Sequence, residues 1–372
     1  MLPNPFDRKL TEFKDTDPLK NREIVRELLG EGGVHKYRKI LGENSDAPSR
    51  GQKDISKEEL LTLAEEARSK IDSLSRDVAR PIIEKLIEKG YASQIKSLQE
   101  INFLETKDGK LGLTAIDNNF YEVPSAEAIK NHFLSIPNIR QKIEQGFTRL
   151  LIVPFGSSLD LIRKKTSDLI IAHDLKGGLK NRAGRKLEIS KLGAVSPHGE
   201  WDEGAVSSSL LIYLPPTFQE SGFEDLIIGT TKLDLLDYTK SSPPFPGYHI
   251  CLIQEDPTIP NINEGVTKGG RPELEVGKSP NAYLKEITTN PIYKGEHGLS
   301  PEDWLTLFAT NLNQKNEAMG DYPANYLIGA YFIYASMVPM AVLTLDGVQL
   351  TQVEPSGRES YDSCSGVITA VT

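Results

Sequence analysis

Hydrophobic residues recur in steps of three and four in the region that follows position 55. Ser56 and Glu59 form an S-x-x-E capping box, which predicts that a helix begins at this point. Pro81 is expected to kink or end this helix, and its pattern stops near Gly90. The apolar stripe of the helix consists of Ala64, Ala67, Ile71, Leu74 and Val78. An ordinary helix packed on its own chain is the favoured interpretation. A self-associating or partner-binding helix over residues 56–90 is the alternative.

Shorter elements are predicted after this helix. Between residues 101 and 121, strand-like runs flank Asp108-Gly109, a dipeptide typical of a hairpin turn. Residues 124–146 return to a helical pattern that Pro137 interrupts. An apolar run at 150–155 then predicts a buried strand, and residues 157–175 predict a helix.

The pattern of the second half predicts an α+β fold. Residues 177–247 are rich in Gly, Ser and Pro, with strands expected at 209–214 and 226–229, and a further strand is predicted at 248–254. Two helices follow, and each begins with a serine N-cap before a proline, at Ser279-Pro280 and Ser300-Pro301. Asp303 stands where a carboxylate favours the exposed backbone donors of the second helix. Short strands and turns are predicted after residue 313.

Composition and charge narrow the function classes. The 372 residues are 38% hydrophobic and 26% charged, as in ordinary globular proteins of more than one domain. No apolar run reaches the roughly 18 residues that a membrane-spanning helix needs. The charged first 20 residues lack the apolar core of a signal peptide, so we expect a cytoplasmic protein, with export by a dedicated system as the alternative. The formal net charge of -9 argues against a nucleic-acid partner.

Candidate chemistry is sparse. Cys251 and Cys364 are the two cysteines, so neither a disulfide framework nor a cysteine-rich zinc site is expected. The six histidines show no H-x-x-x-H or H-E-x-x-H spacing. A cluster of His198, Glu200 and Asp202 is the one candidate for metal or sugar binding, although a solvated loop is the favoured interpretation. We therefore expect no catalytic residue, no metal and no cofactor.

The last hundred residues carry a set of motifs whose order and wording are distinctive. These are Gly269-Gly270-Arg271, residues 274–281, 299–305 and 326–332, Val338-Pro339, Gly366-Val367 and Ala370-Val371. The segment resembles the variable proteins of diversity-generating retroelements, whose C-terminal domain has a C-type lectin-like (formylglycine-generating-enzyme-like) fold. The resemblance covers residues 150–372 approximately. It implies a loosely ordered arm at 1–54, a mainly helical domain at 55–146, and a lectin-like domain of mixed short strands and two helices at 147–372, with its variable region at about 325–372.

The resemblance also implies a function. In that family a reverse transcriptase rewrites adenine positions near the end of the gene, so a fixed scaffold displays a changeable surface that binds a protein or another surface ligand. The implied framework is apolar, with Leu327, Ile328, Phe332, Val338 and Val367, and has tight backbone positions at Gly329 and Gly366. The implied ligand-binding positions are Tyr334, Ser336, Met340, Val342, Thr344, Thr351, Gln352, Tyr361, Asp362, Ser363 and Cys364.

Alternatives to this interpretation stay open. Tyr334 and Tyr361 are the strongest candidate anchors, because tyrosine offers a large contact area at a small conformational cost. In the purely structural alternative, these two tyrosines are half-buried strand residues and residues 360–365 form a polar turn. The alternative function is a sugar-binding or hydrolytic domain that uses the His198, Glu200 and Asp202 cluster.

Overall fold

A computed structural model describes residues 57–136, 138–177, 179–181, 184–187, 195–197, 211–216, 218, 230–241, 245–319, 323–332, 337–344, 347–356 and 364–372. These residues form two compact units. One contains the described residues up to Ile82 together with 138–140, and the other contains Ile83–Ile136 and the described residues from Gln141 onwards. The fold is α+β, as the sequence predicts. The predicted division at 146/147 lies inside the second unit, and the predicted arm at 1–54 lies outside the described residues.

The first helix, α1 (Lys57–Glu100), is longer than the sequence pattern predicts. Its start agrees with the predicted cap, although Ser56 itself and the side chains of the apolar stripe lie outside the described part of the chain. The helix contains Pro81 and runs through Gly90, so the predicted end at Gly90 is wrong. A Cβ atom at position 90 would lie 3.2 Å from the Cβ atom of Leu150, so close packing explains this glycine. The chain leaves the helix at Asn102, whose φ of 59° is left-handed.

The elements that follow agree with the hydrophobic pattern. Strands β1 (Glu105–Lys107), β2 (Lys110–Thr114) and β3 (Phe120–Glu122) form a three-stranded antiparallel sheet. Asp108 and Gly109 both have positive φ, 53° and 76°, as the predicted two-residue hairpin turn requires. Helices α2 (Ala126–Ser135) and α3 (Ile139–Glu144) lie on either side of Pro137, so the predicted interruption is confirmed.

The remaining helices and strands follow in order. They are β4 (Phe147–Val153), α4 (Leu159–Leu175), β5 (Val195–Pro197), β6 (Leu211–Tyr213), β7 (Thr230–Thr231), α5 (Lys232–Ser241), β8 (His249–Gln254), β9 (Thr267–Lys268), β10 (Arg271–Pro272), α6 (Pro280–Thr289), a 3-10 helix (Pro291–Tyr293), β11 (Glu296–Gly298), α7 (Pro301–Lys315), β12 (Ala324–Tyr326), β13 (Ala330–Phe332), β14 (Val338–Thr344), β15 (Gly347–Val353), β16 (Ser365–Gly366) and β17 (Thr369–Val371). The predicted strand at 226–229 lies outside the described residues.

Two sheets organise the second unit. One is antiparallel, with the strand order β11-β17-β8-β4, so the last strand of the chain lies between β11 and β8. The other has the order β16-β12-β14-β15-β5, in which β12 pairs with β16 and β15 pairs with β5 in parallel. The second half also contains a small sheet of β13, β6 and β7 and a two-stranded sheet of β9 and β10.

The predicted helix starts are confirmed at α6 and α7. The hydroxyl of Ser279 accepts a hydrogen bond from the Ala282 N–H, and that of Ser300 accepts one from the Asp303 N–H. The Ser300 N–H in turn donates to Asp303 Oδ2 over 2.8 Å, which completes a capping box. Helix α7 packs on α4 and β4, and almost all of its first three turns are buried. Within the described ranges, no helix is long and apolar enough to cross a membrane.

Candidate functional site

The predicted display positions divide into two groups. Five of them, Tyr334, Ser336, Tyr361, Asp362 and Ser363, lie outside the described residues. The alternative cluster of His198, Glu200 and Asp202 also lies outside them. The other positions lie on β14 (Met340, Val342, Thr344), on β15 (Thr351, Gln352) and directly before β16 (Cys364).

Strand register brings four of these positions to one face. Residues 340, 342 and 344 alternate along β14, and successive side chains of a strand point to opposite faces, so these three share a face. Thr351 is directly opposite Met340 in the antiparallel pair and therefore lies on the same face. Gln352 is paired with Pro339 and lies on the other face of the hairpin.

Burial corrects the expectation for Met340 and Val342. Their relative exposures are 7% and 8%, and both belong to a hydrophobic cluster with Tyr283 of α6 and Tyr326 of β12. These two side chains therefore form part of the core instead of facing solvent, because the other members of the cluster cover the face of the hairpin at Met340 and Val342. Thr344, Thr351 and Gln352 are half-buried, and Cys364 is exposed.

The predicted framework is confirmed. The side chains of Leu327, Ile328, Phe332, Val338 and Val367 are all buried. A Cβ atom at Gly329 would lie 2.4 Å from the carbonyl oxygen of Gly298, and one at Gly366 would lie 2.4 Å from Ile259 Cγ2. Both glycines are therefore required by the close approach of neighbouring atoms.

The structure also contains a cleft that the sequence pattern does not predict. Its volume is about 120 Å³, and its walls are mostly apolar. The apolar side chains that line it are Phe155, Tyr213, Leu214, Leu235, Leu236 and Tyr248. His249, His297, Ser300 and Asp303 form its polar end, and they come from β8, β11 and the start of α7.

His249 and Asp303 form a tight pair at this polar end. His249 Nδ1 lies 2.6 Å from Asp303 Oδ1, and the capping box already fixes the other carboxylate oxygen on the Ser300 N–H. Burial would raise the pKa of Asp303, but the charge and hydrogen bond of His249 outweigh burial and lower it. Burial opposes charge on His249 as well, yet Asp303 raises the pKa of the imidazole. The pair therefore favours an imidazolium beside a carboxylate.

His297 is the second imidazole of the cleft, and its ring centroid lies 5.1 Å from that of His249. Its Nδ1 lies 2.9 Å from the Gly298 carbonyl oxygen, which can only accept, so Nδ1 carries the proton. Its Nε2 is buried and has no hydrogen-bond partner among the described residues. Burial and the charge of His249 lower the pKa of His297 to about 4, so this imidazole is neutral at pH 7.

A buried ion pair lies beside the cleft. Lys232, the first residue of α5, places Nζ 2.7 Å from Glu302 Oε1 and also donates to the Ser157 carbonyl oxygen over 2.9 Å. The Tyr213 hydroxyl donates to the same Glu302 oxygen over 2.7 Å. Burial, followed by the charge of Glu302, raises the pKa of Tyr213 well above its usual value. Tyr213 thus remains protonated and holds the carboxylate together with Lys232.

A second buried network explains Arg271 of the Gly-Gly-Arg motif. Its guanidinium donates to both oxygens of Glu296, with Nε 2.9 Å from Oε1 and Nη2 2.8 Å from Oε2. Lys142 Nζ lies 2.7 Å from Oε1, and the Thr369 hydroxyl donates to Oε2 over 2.7 Å. The Arg271 guanidinium also lies near the rings of Phe147 and Tyr293. This network joins β10, β11 and β17, so its role is structural.

Local sequence patterns could not reveal the cleft. His249 and Asp303 are 54 positions apart, and only tertiary folding brings them together. The sequence predicted Asp303 only as a helix-capping residue. Capping uses one of its two carboxylate oxygens, so the other oxygen was the one indication of a further contact. In the described part of the chain, no group of three or more His, Cys, Asp or Glu side chains could hold a metal ion.

Comparisons with known proteins add no relative: no protein-family model, curated protein or solved structure matches this chain.

Proposed function

We propose that this chain is a non-catalytic ligand-binding protein, the product of a diversity-generating retroelement, which displays a changeable surface on a C-type lectin-like domain. The observation that carries the proposal is the β14–β15 hairpin. It combines buried framework residues with half-buried positions, and the two implied display positions Thr344 and Thr351, which are not buried, share one of its faces. The ligand is a protein or another surface ligand, contacted by the displayed side chains.

Strand pairing supports the lectin-like part of the proposal. From residue 249 the chain runs through β8, the two short strands β9 and β10, helix α6, strand β11 and helix α7 before the final short strands. Two helices that precede a last run of short strands resemble the order of a C-type lectin domain. The last strand, β17, returns to pair with β8, with Ala370 opposite Ile253 and Val371 opposite Leu252. This pairing closes the segment on itself, so its two ends are fixed while the parts between them can vary.

The energetics of substitution support the display part. Replacing an exposed side chain usually changes stability by no more than about 0.5 kcal/mol, whereas truncating a buried one costs about 2–5 kcal/mol. Cys364 belongs to the tolerant class by its exposure, and Met340 and Val342 belong to the costly class. Thr344 and Thr351 are half-buried, so we expect their costs to lie between these two classes. We therefore restrict the changeable surface to the implied positions other than Met340 and Val342.

A pair of libraries tests this proposal. The first randomises the implied display positions, except Met340 and Val342, in the full chain presented on yeast. The control library randomises the buried positions Val338, Ala341, Leu343, Val348 and Leu350 on the same two strands. We expect most clones of the first library to fold and some to bind an arbitrary folded protein target. We expect the control library to lose folding. Equal loss of folding in both libraries would contradict the proposal.

A further inference from the structure

The walls of the cleft favour an apolar ligand. Leu214 lines the cleft although 57% of its surface is exposed, and its φ of 51° is left-handed. Leucine adopts this conformation only when the surroundings enforce it, and here the Leu214 N–H is held by the Gly329 carbonyl oxygen at 2.9 Å. An apolar side chain held at the mouth of an apolar cleft is typical of a binding site for a small molecule.

The two imidazoles of the polar end offer one donor and one acceptor. His249 lines the cleft and uses its Nδ1 on Asp303, so its Nε2 N–H remains to donate to a ligand. His297 uses its Nδ1 proton on Gly298, so its Nε2 offers a lone pair. That buried atom has no partner in the described chain, so a donor on a ligand would satisfy it.

The Asp303 carboxylate at this end is already engaged, because both of its oxygens accept hydrogen bonds. The Ser300 hydroxyl oxygen accepts a hydrogen bond from the Asp303 N–H. The nearby charges form two neutral pairs, Lys232 with Glu302 and His249 with Asp303. An ionised ligand group would therefore bring an unbalanced charge into an apolar cleft, which is unfavourable. A neutral group that both accepts and donates a hydrogen bond fits this end.

We propose that this cleft binds a small neutral alcohol or phenol, whose hydroxyl accepts a hydrogen bond from His249 and donates one to His297. Each hydrogen bond spans roughly 2.7–3.2 Å, so one oxygen atom can bridge two rings whose centroids are 5.1 Å apart. A closed cavity of about 150 Å³ holds benzene, so a single ring would fill the 120 Å³ cleft and extend into its open mouth beside Leu214, and a short chain would fit within it. The inference is independent of the displayed surface.

A matched pair of ligands tests the inference on the full chain. Phenol and toluene have the same shape, but toluene has a methyl group in place of the hydroxyl. We expect phenol to bind at least about tenfold more tightly than toluene by isothermal titration, because toluene leaves both imidazole groups unpaired. The 15N resonance of His297 Nε2 is expected to shift with phenol and to stay unchanged with toluene.

Variants separate the cleft from non-specific binding. H297F is expected to remove the preference for phenol, whereas H173F replaces a histidine that does not line the cleft and is expected to keep it. Three results would each overturn the inference. They are equal affinities for the two ligands, no detectable binding of either ligand, and an unchanged preference for phenol in folded H297F. The ligand pair and the 15N shift need no variant, so failure of H297F to fold leaves the test intact.

Discussion

The buried network around Glu296 allows a prediction from the count of charges. Lys142 and Arg271 contribute two positive charges and Glu296 contributes one negative charge, and all three side chains are at most 6% exposed. Replacing Glu296 by glutamine leaves two cations side by side without a carboxylate. Replacing Lys142 by methionine leaves one balanced, bidentate pair. We therefore expect E296Q to be far more destabilising than K142M.

The magnitudes follow from the contacts. Removing one partner of a buried ion pair costs about 3–5 kcal/mol, and E296Q weakens the contacts to Arg271, Lys142 and Thr369 together. K142M loses one contact to Glu296 and a 3.3 Å hydrogen bond to the Ile292 carbonyl oxygen, but it also removes a charge that burial disfavours. Burial lowers the pKa of Lys142 despite the neighbouring carboxylate. We expect K142M to cost about 1 kcal/mol.

Urea unfolding of the full chain measures these differences. The double variant E296Q/K142M has the same net charge at this site as the wild type, so we expect it to cost no more than E296Q alone. K110M, which breaks an exposed pair with Glu122, serves as the control and is expected to change stability by less than about 1 kcal/mol. Additive costs in the double variant, or a cost of K142M equal to that of E296Q, would refute the reasoning.

Two further predictions concern the cleft and the framework. The pKa of His297 is about 4 in the folded chain and about 6.5 when unfolded, so the unfolded chain binds more protons between these values and stability falls as the pH falls through this window. The free energy of unfolding should fall by about 3 kcal/mol over this window. Unfolding measured as a function of pH should show this loss in the wild type and a smaller loss in H297Q. Equal pH profiles of the two proteins would contradict the low pKa of His297. G329A should destabilise the chain by about 1–3 kcal/mol, since its Cβ would meet the Gly298 carbonyl oxygen at 2.4 Å. T351A, at a half-buried display position, should change stability by no more than about 1 kcal/mol. Thermal unfolding of both variants measures the difference, and a larger cost for T351A than for G329A would be inconsistent with the burial argument.

Local patterns predicted those elements whose cause is local. The caps at Ser279 and Ser300 and the turn at Asp108-Gly109 are confirmed because neighbouring residues satisfy their hydrogen bonds and dihedral angles. The helix end predicted at Gly90 is wrong, because glycine at this position allows the close approach of Leu150, which lies on a strand 60 residues later in the chain. Glycine can end a helix, and it can also allow another element to approach closely, and the sequence alone does not distinguish these two roles.

The candidate sites depend on tertiary contacts to different degrees. The alternation of residues 340, 342 and 344 is visible in the sequence, and it predicts a shared face. From the sequence, either Met340 or Val342 could belong to the core or to the display. The contacts with Tyr283 and Tyr326, which come from other elements, place both in the core. The pairing of His249 with Asp303 is likewise a product of folding alone.

Sequencing of the end of this gene across closely related cells tests the central claim most directly. A diversified surface predicts that changes concentrate at adenine-derived codons of the implied positions from Tyr334 to Cys364. They should spare Gly329, Pro339 and Gly366, and keep residues 340 and 342 apolar, as their burial requires. Changes spread evenly along the chain, or concentrated at these framework codons, would contradict the claim that the domain displays a diversified surface.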